Sequence, residues 1–464
     1  MGMMRTRARS MADDYPTKAI RSVLERLFGV AALVLSAVSA HAEEPKPRPV
    51  PDYDGRGPRK TTLGDVAIWV PRVVAAPFYL TSEYLIRRPL GAVVVYVEEK
   101  RIPEKLIDFF TFDKDHKVGV VPTAFVDFGL LPSVGLYFFW DDFLAKNNDL
   151  RLRAGTWGPK WLSFGVTDRI NLTDRSAISL NSEWTRRQDW LFYGIGPLSK
   201  QENQSRYAAA IFDTNAAFDL EITRAFRLHT AVGLRDARFG DGSCCGDPTV
   251  TDRAAMGQLT VPAGFTEGYT IGYQRFGVTL DTRAKRPASQ NGVRLDVQGQ
   301  PAFNLKQSPG NAWVRYGATA AGFVDITGTN RVLSLAVSSL FADPIRGGTI
   351  PWNEQVVLGG TQFMRGFRPG RLVDRSAFIA TLQYEWPLWV WLDGTMHVAT
   401  GNVFGAGLKG IDPKLFRLSS GIGLRTSSSP DTQFEALVGF GTDTFSEGTR
   451  ISSFRLAIGA THGF

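Results

Sequence analysis

The residues best suited to acid–base, nucleophilic or metal chemistry are few and scattered in this sequence. Histidine occurs five times, and His229, His397 and His462 each stand alone on a predicted strand. No Gly-x-Ser-x-Gly segment is present, and no histidine pair has the spacing of metal ligands. The two cysteines, Cys244 and Cys245, are adjacent, so they form either a vicinal disulfide or two plain loop thiols. We therefore predict no enzyme, no metal and no other cofactor.

The composition is that of a long chain rich in strands and turns. Of 464 residues, 47 are glycine, 12% are aromatic and only 21% are charged. These proportions exclude disordered, collagen-like and disulfide-scaffold proteins. No run of ~18 apolar residues follows the N-terminus to form a membrane-spanning helix. The net charge of +8 falls to +5 without residues 1–42, which hold six basic and three acidic residues, and this mild charge argues against a nucleic-acid partner.

The N-terminal part of the chain divides into three predicted segments. Residues 1–42 have the pattern of a signal peptide, because a basic region precedes the apolar run Leu27–Val38 and a small-residue cleavage site at 40–42. A short membrane anchor is the alternative. Residues 43–62 are predicted to be a Pro-rich periplasmic arm. Residues 63–116 have helical periodicity, which indicates a periplasmic helix that either lies in the membrane interface or packs on the mouth of a barrel.

From Lys117 onward, apolar residues alternate with polar or small ones, which is the period of a strand between two environments. Sixteen such runs begin near residues 118, 132, 149, 161, 175, 205, 223, 269, 291, 311, 331, 376, 393, 415, 432 and 451. Short turn-like links alternate with long ones, as at the two rims of a membrane barrel. We therefore predict an all-β fold, a 16-stranded antiparallel transmembrane β-barrel over residues 117–464, in the bacterial outer membrane.

The last run ends in an aromatic residue. Phe454, Leu456, Ile458 and Phe464 fall on one face of this predicted strand. A terminal aromatic on an amphipathic strand is typical of the signal that directs a barrel to the outer-membrane assembly machinery. An ordinary edge strand is the alternative.

Residues 356–388 resemble the bacterial surface antigen family, the superfamily of the barrel-assembly insertase BamA, the related TamA and the two-partner secretion transporters. The most specific match is Met364-Arg365-Gly366-Phe367, which corresponds to the family's Val-Arg-Gly-Phe/Tyr motif. Its position supports the match, because it falls between the eleventh and twelfth predicted strands, in the sixth outer loop. Asp281 and Arg283 resemble a family turn motif, and residues 417–425 resemble the family's late glycine-rich strands.

The resemblance implies that the sixth loop folds into the lumen and that Arg365 pairs there with carboxylates on the twelfth and thirteenth strands. Gln383 and Ala399 occupy the positions of those carboxylates in this sequence. Glu385, two residues from Gln383 on the same face, is the remaining candidate partner. The alternative is an Arg365 side chain solvated in the lumen. The resemblance covers residues 115–464, and the segment before it shows no periplasmic POTRA module of the kind that the larger relatives carry.

The predicted function is outer-membrane protein assembly, translocation or envelope biogenesis. A loosely paired seam between the first and last strands would expose backbone groups able to template an incoming strand. Predicted partners are outer-membrane lipid, barrel clients or envelope proteins, and the assembly machinery that inserts the barrel itself. A scaffolding barrel and a passive pore are the alternatives.

Overall fold

The computed structural model describes Tyr84 and residues 108–284, 290–306, 311–346, 348–389, 392–426 and 434–460. The predicted signal peptide, the Pro-rich arm, most of the 63–116 segment and Phe464 lie outside the described residues, and their assignments stay predictions. Residues 108–110 are helical. Within the described ranges, no helix combines the length and the apolar character needed to cross a bilayer.

Period-two alternation produces the strands of the molecule, because successive side chains of a strand point to opposite faces. The strands are β1 Val118–Asp127, β2 Ser133–Trp140, β3 Asn148–Thr156, β4 Leu162–Thr173, β5 Ser176–Phe192, β6 Ser205–Glu221, β7 Phe226–Asp241, β8 Tyr269–Asp281, β9 Gly292–Asn304, β10 Ala312–Asp325, β11 Val332–Arg346, β12 Val356–Leu358, β13 Leu372–Asp374, β14 Ser376–Trp389, β15 Leu392–Phe404, β16 Arg417–Thr426, β17 Phe434–Thr442 and β18 Ile451–Ala460.

Sixteen of these strands close into one antiparallel barrel, which confirms the predicted fold class. Each pairs with its neighbours in chain order, except that β11 pairs with β14, and β1 closes the barrel against β18. The two remaining strands, β12 and β13, pair with each other in the β11–β14 connection. The largest error in a predicted strand start is three residues, at β7, which begins at Phe226 rather than near residue 223.

The two rims of the barrel differ in the length of their connections. Links 174–175, 222–225 and 326–331 are short, whereas 193–204, 242–268 and 347–375 at the opposite rim are long. The 242–268 connection holds the helix α1 Val250–Ala255, which begins at a capping box between Thr249 and Asp252. Short 3₁₀ helices occur at Gln201–Asn203, Trp352–Glu354, Ala406–Leu408, Pro413–Leu415 and Phe445–Glu447.

The barrel wall separates an apolar outer face from a polar and small-residue inner face. On β7, Val232 and Leu234 are exposed on the outer face, whereas Ala231 and Ala237 are buried on the inner face. An apolar exterior with a polar or small-residue interior is the pattern of a barrel surrounded by lipid.

The 347–375 connection between β11 and β14, called loop six from here on, folds into the lumen. Its Leu358, Phe367 and Leu372 are completely buried and share an apolar cluster with inward side chains of the wall such as Ala377 and Val403. These wall residues are small or β-branched, so the loop can approach the strands closely. Loop six therefore supplies a packed core at this level of the barrel.

The barrel closes between its first and last strands, β1 and β18, and this closure is called the seam from here on. Over the described residues these strands pair only at Phe125–Asp127 with Ala457–Gly459. Strand β18 is described as far as Ala460, and this pairing is that of its described part. Gly459 has φ +145°, and a Cβ there would lie 2.2 Å from the carbonyl oxygen of Ala124. The backbones of β1 and β18 thus lie so close together at the seam that position 459 requires glycine.

Candidate functional site

The tip of loop six docks on the wall formed by β16, β17 and β18. Arg365 forms a salt bridge with Glu435 of β17. The Gly366 N–H donates a hydrogen bond of 2.8 Å to Ser419 Oγ on β16. Ser453 Oγ on β18 donates one of 3.2 Å to the Gly366 carbonyl. One charged side chain and both backbone groups of one glycine therefore hold the tip.

Glycine at position 366 is required by the closeness of this contact. A Cβ at Gly366 would lie 2.0 Å from the Phe440 carbonyl oxygen of β17. Across the contact, a Cβ at Gly441 would lie 2.4 Å from the ring of Phe367. The Arg-Gly-Phe segment therefore combines an arginine for charge pairing, a glycine that lets two backbones meet and an aromatic ring that packs on a glycine of the wall.

The prediction that Glu385 is the partner of Arg365 is wrong. Glu385 Oε2 lies 2.7 Å from Arg425 Nη2, and its other oxygen accepts a hydrogen bond from Gln383. Gln383 and Glu385 therefore bind each other and Arg425 of β16, two strands away, rather than the loop. The physical reason is the path of loop six, which crosses the lumen to β17 instead of turning back onto β14. Ala399, at the other position of a family carboxylate, is buried in the apolar cluster with loop six.

Arg455 of β18 joins the seam to loop six. Its Nη2 lies 2.8 Å from Asp127 Oδ2 on β1, and its Nε donates to the same oxygen at 3.0 Å. Its Nη1 donates to the carbonyls of Gly360 and Arg365 in loop six, at 2.8 and 3.2 Å. Arg455 is 1% exposed and Asp127 2%. Sequence reasoning missed this pair, although both residues lie on inward positions of predicted strands.

A second carboxylate fixes the beginning of loop six to the opposite wall. Glu354 is completely buried, and its Oε1 accepts from Arg235 Nη1 on β7 and from the Tyr269 hydroxyl on β8, both at 2.8 Å. Arg315 Nη1 on β10 lies 3.6 Å from the other oxygen. Burial by itself raises the pKa of the Glu354 carboxyl, but the guanidiniums of Arg235 and Arg315 outweigh it, and the pKa is lowered. Glu354 thus stays charged at neutral pH.

The end of loop six is bound by the long connection 193–204. Arg371 donates to Ser199 Oγ and to the Ser199 carbonyl, both at 2.9 Å, and to Gln201 Oε1 at 3.1 Å. Its guanidinium also lies over the Tyr193 ring, 5.1 Å from the centroid. Together with Glu354 and Arg365, Arg371 gives loop six three anchors on different parts of the barrel.

The other predicted residues lie away from this site. Asp281 and Arg283 form an ion pair of 2.7 Å at the end of β8, where Arg283 also lies 4.0 Å from the centre of the Phe323 ring. Phe454, Leu456 and Ile458 alternate with the buried Ser453, Arg455 and Ala457, so they lie on the outer face of β18.

The cysteines and the described histidines of the barrel are spread over separate elements. Cys244 and Cys245 form a vicinal disulfide in the outer connection 242–268. His229 lies 2.8 Å from Asp219. His397 is buried on the inner face of β15. Across the described ranges, no group of three or more His, Cys, Asp or Glu side chains could hold a metal ion.

Solved structures with a similar fold include outer-membrane barrels. BamA from Haemophilus ducreyi lacking POTRA domains 1–3 matches with a TM-score of 0.51 at 12% identity, over 74% of this chain and 70% of that chain. CdiB from Acinetobacter baumannii matches with a TM-score of 0.46 at 12% identity, over 74% of this chain and 59% of CdiB. CdiB from Escherichia coli gives 0.45 at 11% identity, over 73% and 62%. The chain thus spans less than two thirds of either CdiB.

No curated protein sequence matches the chain. The family model of the Omp85 superfamily domain, however, matches residues 143–461, a range that contains loop six, its anchors on β17 and β18 and most of the barrel wall. The resemblance seen in Met364-Arg365-Gly366-Phe367 is thereby confirmed, and the chain belongs to the Omp85 superfamily.

Proposed function

We propose that the protein is an outer-membrane barrel that assembles or translocates other polypeptides through its seam, and that it acts by strand exchange rather than by enzymatic chemistry. The single observation that supports this most is that the barrel closes between its first and last strands, β1 and β18, with Gly459 of β18 at φ +145° in that closure. A strand edge with unpaired backbone donors and acceptors is a template for an incoming strand.

The residues of the seam favour separation at this place. Gly459 contributes no side-chain packing to the closure, and its φ of +145° is one that other residues rarely adopt. Pro122 of β1, three residues before the described seam, lacks a backbone N–H, a property typical of edge strands. Membership in the Omp85 superfamily and the apolar outer face support an outer-membrane location, with lipid, client barrels or envelope proteins as partners.

The two alternatives differ in what they require of the barrel. A passive pore needs an open lumen, whereas loop six occupies the lumen with a buried apolar cluster and three anchors. A scaffolding barrel needs no opening of the seam at all. Opening of the seam therefore separates the proposed function from the scaffold.

A disulfide across the seam tests the proposal. Val126 and Ile458 are direct strand partners on the outer face, so Val126→Cys with Ile458→Cys would place two thiols within bonding reach. The matched control is Ala320→Cys with Val337→Cys, a directly paired couple on β10 and β11. Liposomes containing either protein would receive an unfolded eight-stranded barrel, and its folding would be followed by heat-modifiable migration in gels.

We expect oxidation of the seam pair to stop client folding and reduction to restore it, while oxidation of the control pair changes nothing. The protein with native cysteines, treated identically, controls for the Cys244–Cys245 disulfide. Equal client folding with the seam oxidised and reduced would exclude the seam as the route and leave the scaffold.

A further inference from the structure

The side chain of Arg455 on β18 contacts both β1 and loop six. It belongs to β18, bonds Asp127 of β1 through Nε and Nη2, and bonds the carbonyls of Gly360 and Arg365 through Nη1. Sequence separations of 328 residues to Asp127 and 95 to Gly360 show that only the closed barrel brings these groups together.

The chemistry of the guanidinium makes these two sets of bonds depend on each other. Arginine presents five N–H donors in one rigid plane, so one edge can bind a carboxylate while the remaining donors bind carbonyl oxygens. When β1 leaves β18, Arg455 loses its only carboxylate contact given by the structure and becomes a buried charge held by neutral carbonyls. A buried charge without its counter-ion is strongly unfavourable.

The reverse movement has the same consequence. When loop six leaves the lumen, Arg455 loses both carbonyl acceptors, and water must replace them beside the Asp127 pair. Ser453, two residues along the same strand, loses its bond to the Gly366 carbonyl at the same time. Release of the loop therefore weakens the contact by which the Arg455 guanidinium holds β1 to β18.

We infer that Arg455 is a positioning residue that couples the seam to loop six, so that separation of β1 from β18 favours release of the loop and docking of the loop favours a closed seam. This inference rests on the proposed opening of the seam and states how that opening is controlled. Coupling between two sites is reciprocal, so either movement can be used to detect it.

The test measures the release of loop six while the seam is locked or free. Val126→Cys with Ile458→Cys provides the lock, and both side chains face away from the lumen, so the disulfide cannot touch the loop. The rate of proteolytic cleavage within residues 347–375 of the detergent-solubilised full chain reports transient release of the loop. The measurement is made with the lock oxidised and reduced, in the native background and in Arg455→Gln.

In the native background we expect oxidation to slow cleavage about tenfold, within the usual range of coupling between sites. In Arg455→Gln we expect faster cleavage and no dependence on the lock. Arg235→Gln is the control for mere loosening, because Arg235 binds Glu354 of loop six but lies on β7, away from the seam. Arg235→Gln should be cleaved faster than the native protein, and oxidation of the lock should still slow its cleavage by the same factor as in the native protein.

Arg455→Lys keeps the test decisive if Arg455→Gln does not fold. The ammonium retains the charge opposite Asp127 but lacks the planar fork, so the effect of the lock should fall well below that in the native protein. No slowing in the native background, or equal slowing in either Arg455 variant, would overturn the inference. No client is present in this assay, so its outcome is independent of whether the barrel assembles clients.

Discussion

The salt bridge between Arg365 and Glu435 should control how often the tip of loop six leaves the wall. Both side chains are mostly buried, with 12% and 15% of their surfaces exposed. Removing one partner of a fully buried pair costs about 3–5 kcal/mol, because the other charge is left uncompensated. Water in the lumen reduces this cost. For the Arg365–Glu435 pair we use about 2 kcal/mol, which is typical of a hydrogen bond to a charged group.

Arg365→Ala should therefore increase the population of released loop, and with it the cleavage rate within 347–375, about 30-fold, since each 1.4 kcal/mol is about a factor of ten. Glu435→Ala should act similarly. The double variant should resemble either single variant, because both changes break one contact, whereas independent effects would multiply to roughly 900-fold. Limited proteolysis of the solubilised barrel measures all three rates.

Glu385→Ala is the matched control, because Glu385 binds Arg425 and Gln383 on the same wall without touching the loop. It should change cleavage less than about threefold. Heat-modifiable migration should be retained in every variant, which shows that the barrel itself persists. Additive effects of Arg365→Ala and Glu435→Ala, or an effect of Glu385→Ala as large as theirs, would refute the assignment of Glu435 as the partner.

Three further predictions concern Gly366, Glu354 and the location of the protein. Gly366→Ala should raise loop cleavage strongly, because its Cβ would lie 2.0 Å from a wall carbonyl, while Gly322→Ala, with nothing within 4 Å, should not. The lowered pKa of Glu354 means that its contribution to loop docking is present above the ordinary Glu pKa of about 4.3 and is lost as pH falls through the folded value. Loop protection should therefore be constant from pH 7 to about 5 and decline only below about 4, and Glu354→Gln should reduce this dependence, leaving the part that the Arg365–Glu435 salt bridge contributes; a decline near pH 6 would contradict it. Finally, the mature protein should begin at Glu43, as N-terminal sequencing would show, and should fractionate with the outer membrane; recovery in the soluble periplasm would exclude a membrane barrel.

The number and position of the barrel strands could be predicted from sequence because they depend on local information. A side chain's face in a strand follows from its place in a two-residue period, so Val232 and Leu234 indicated an outer face without knowledge of any neighbour. The location of loop six followed in the same way, since counting strands places Arg365 between the eleventh and twelfth. Its glycine and aromatic residues suggested a family motif, although not the contacts that each makes.

The partners of loop six could not be predicted, because they depend on the path of a long connection through a closed lumen. Arg365 was assigned to Glu385 by analogy in sequence position, whereas the tertiary structure carries the tip across to Glu435. Arg235 and Glu354 are 119 residues apart, and Asp127 and Arg455 are 328 apart. The two-residue period of a strand shows on which face each residue lies. Closure of the barrel alone decides which inward residues lie opposite one another. A buried charge is stable only where that closure supplies its counter-ion.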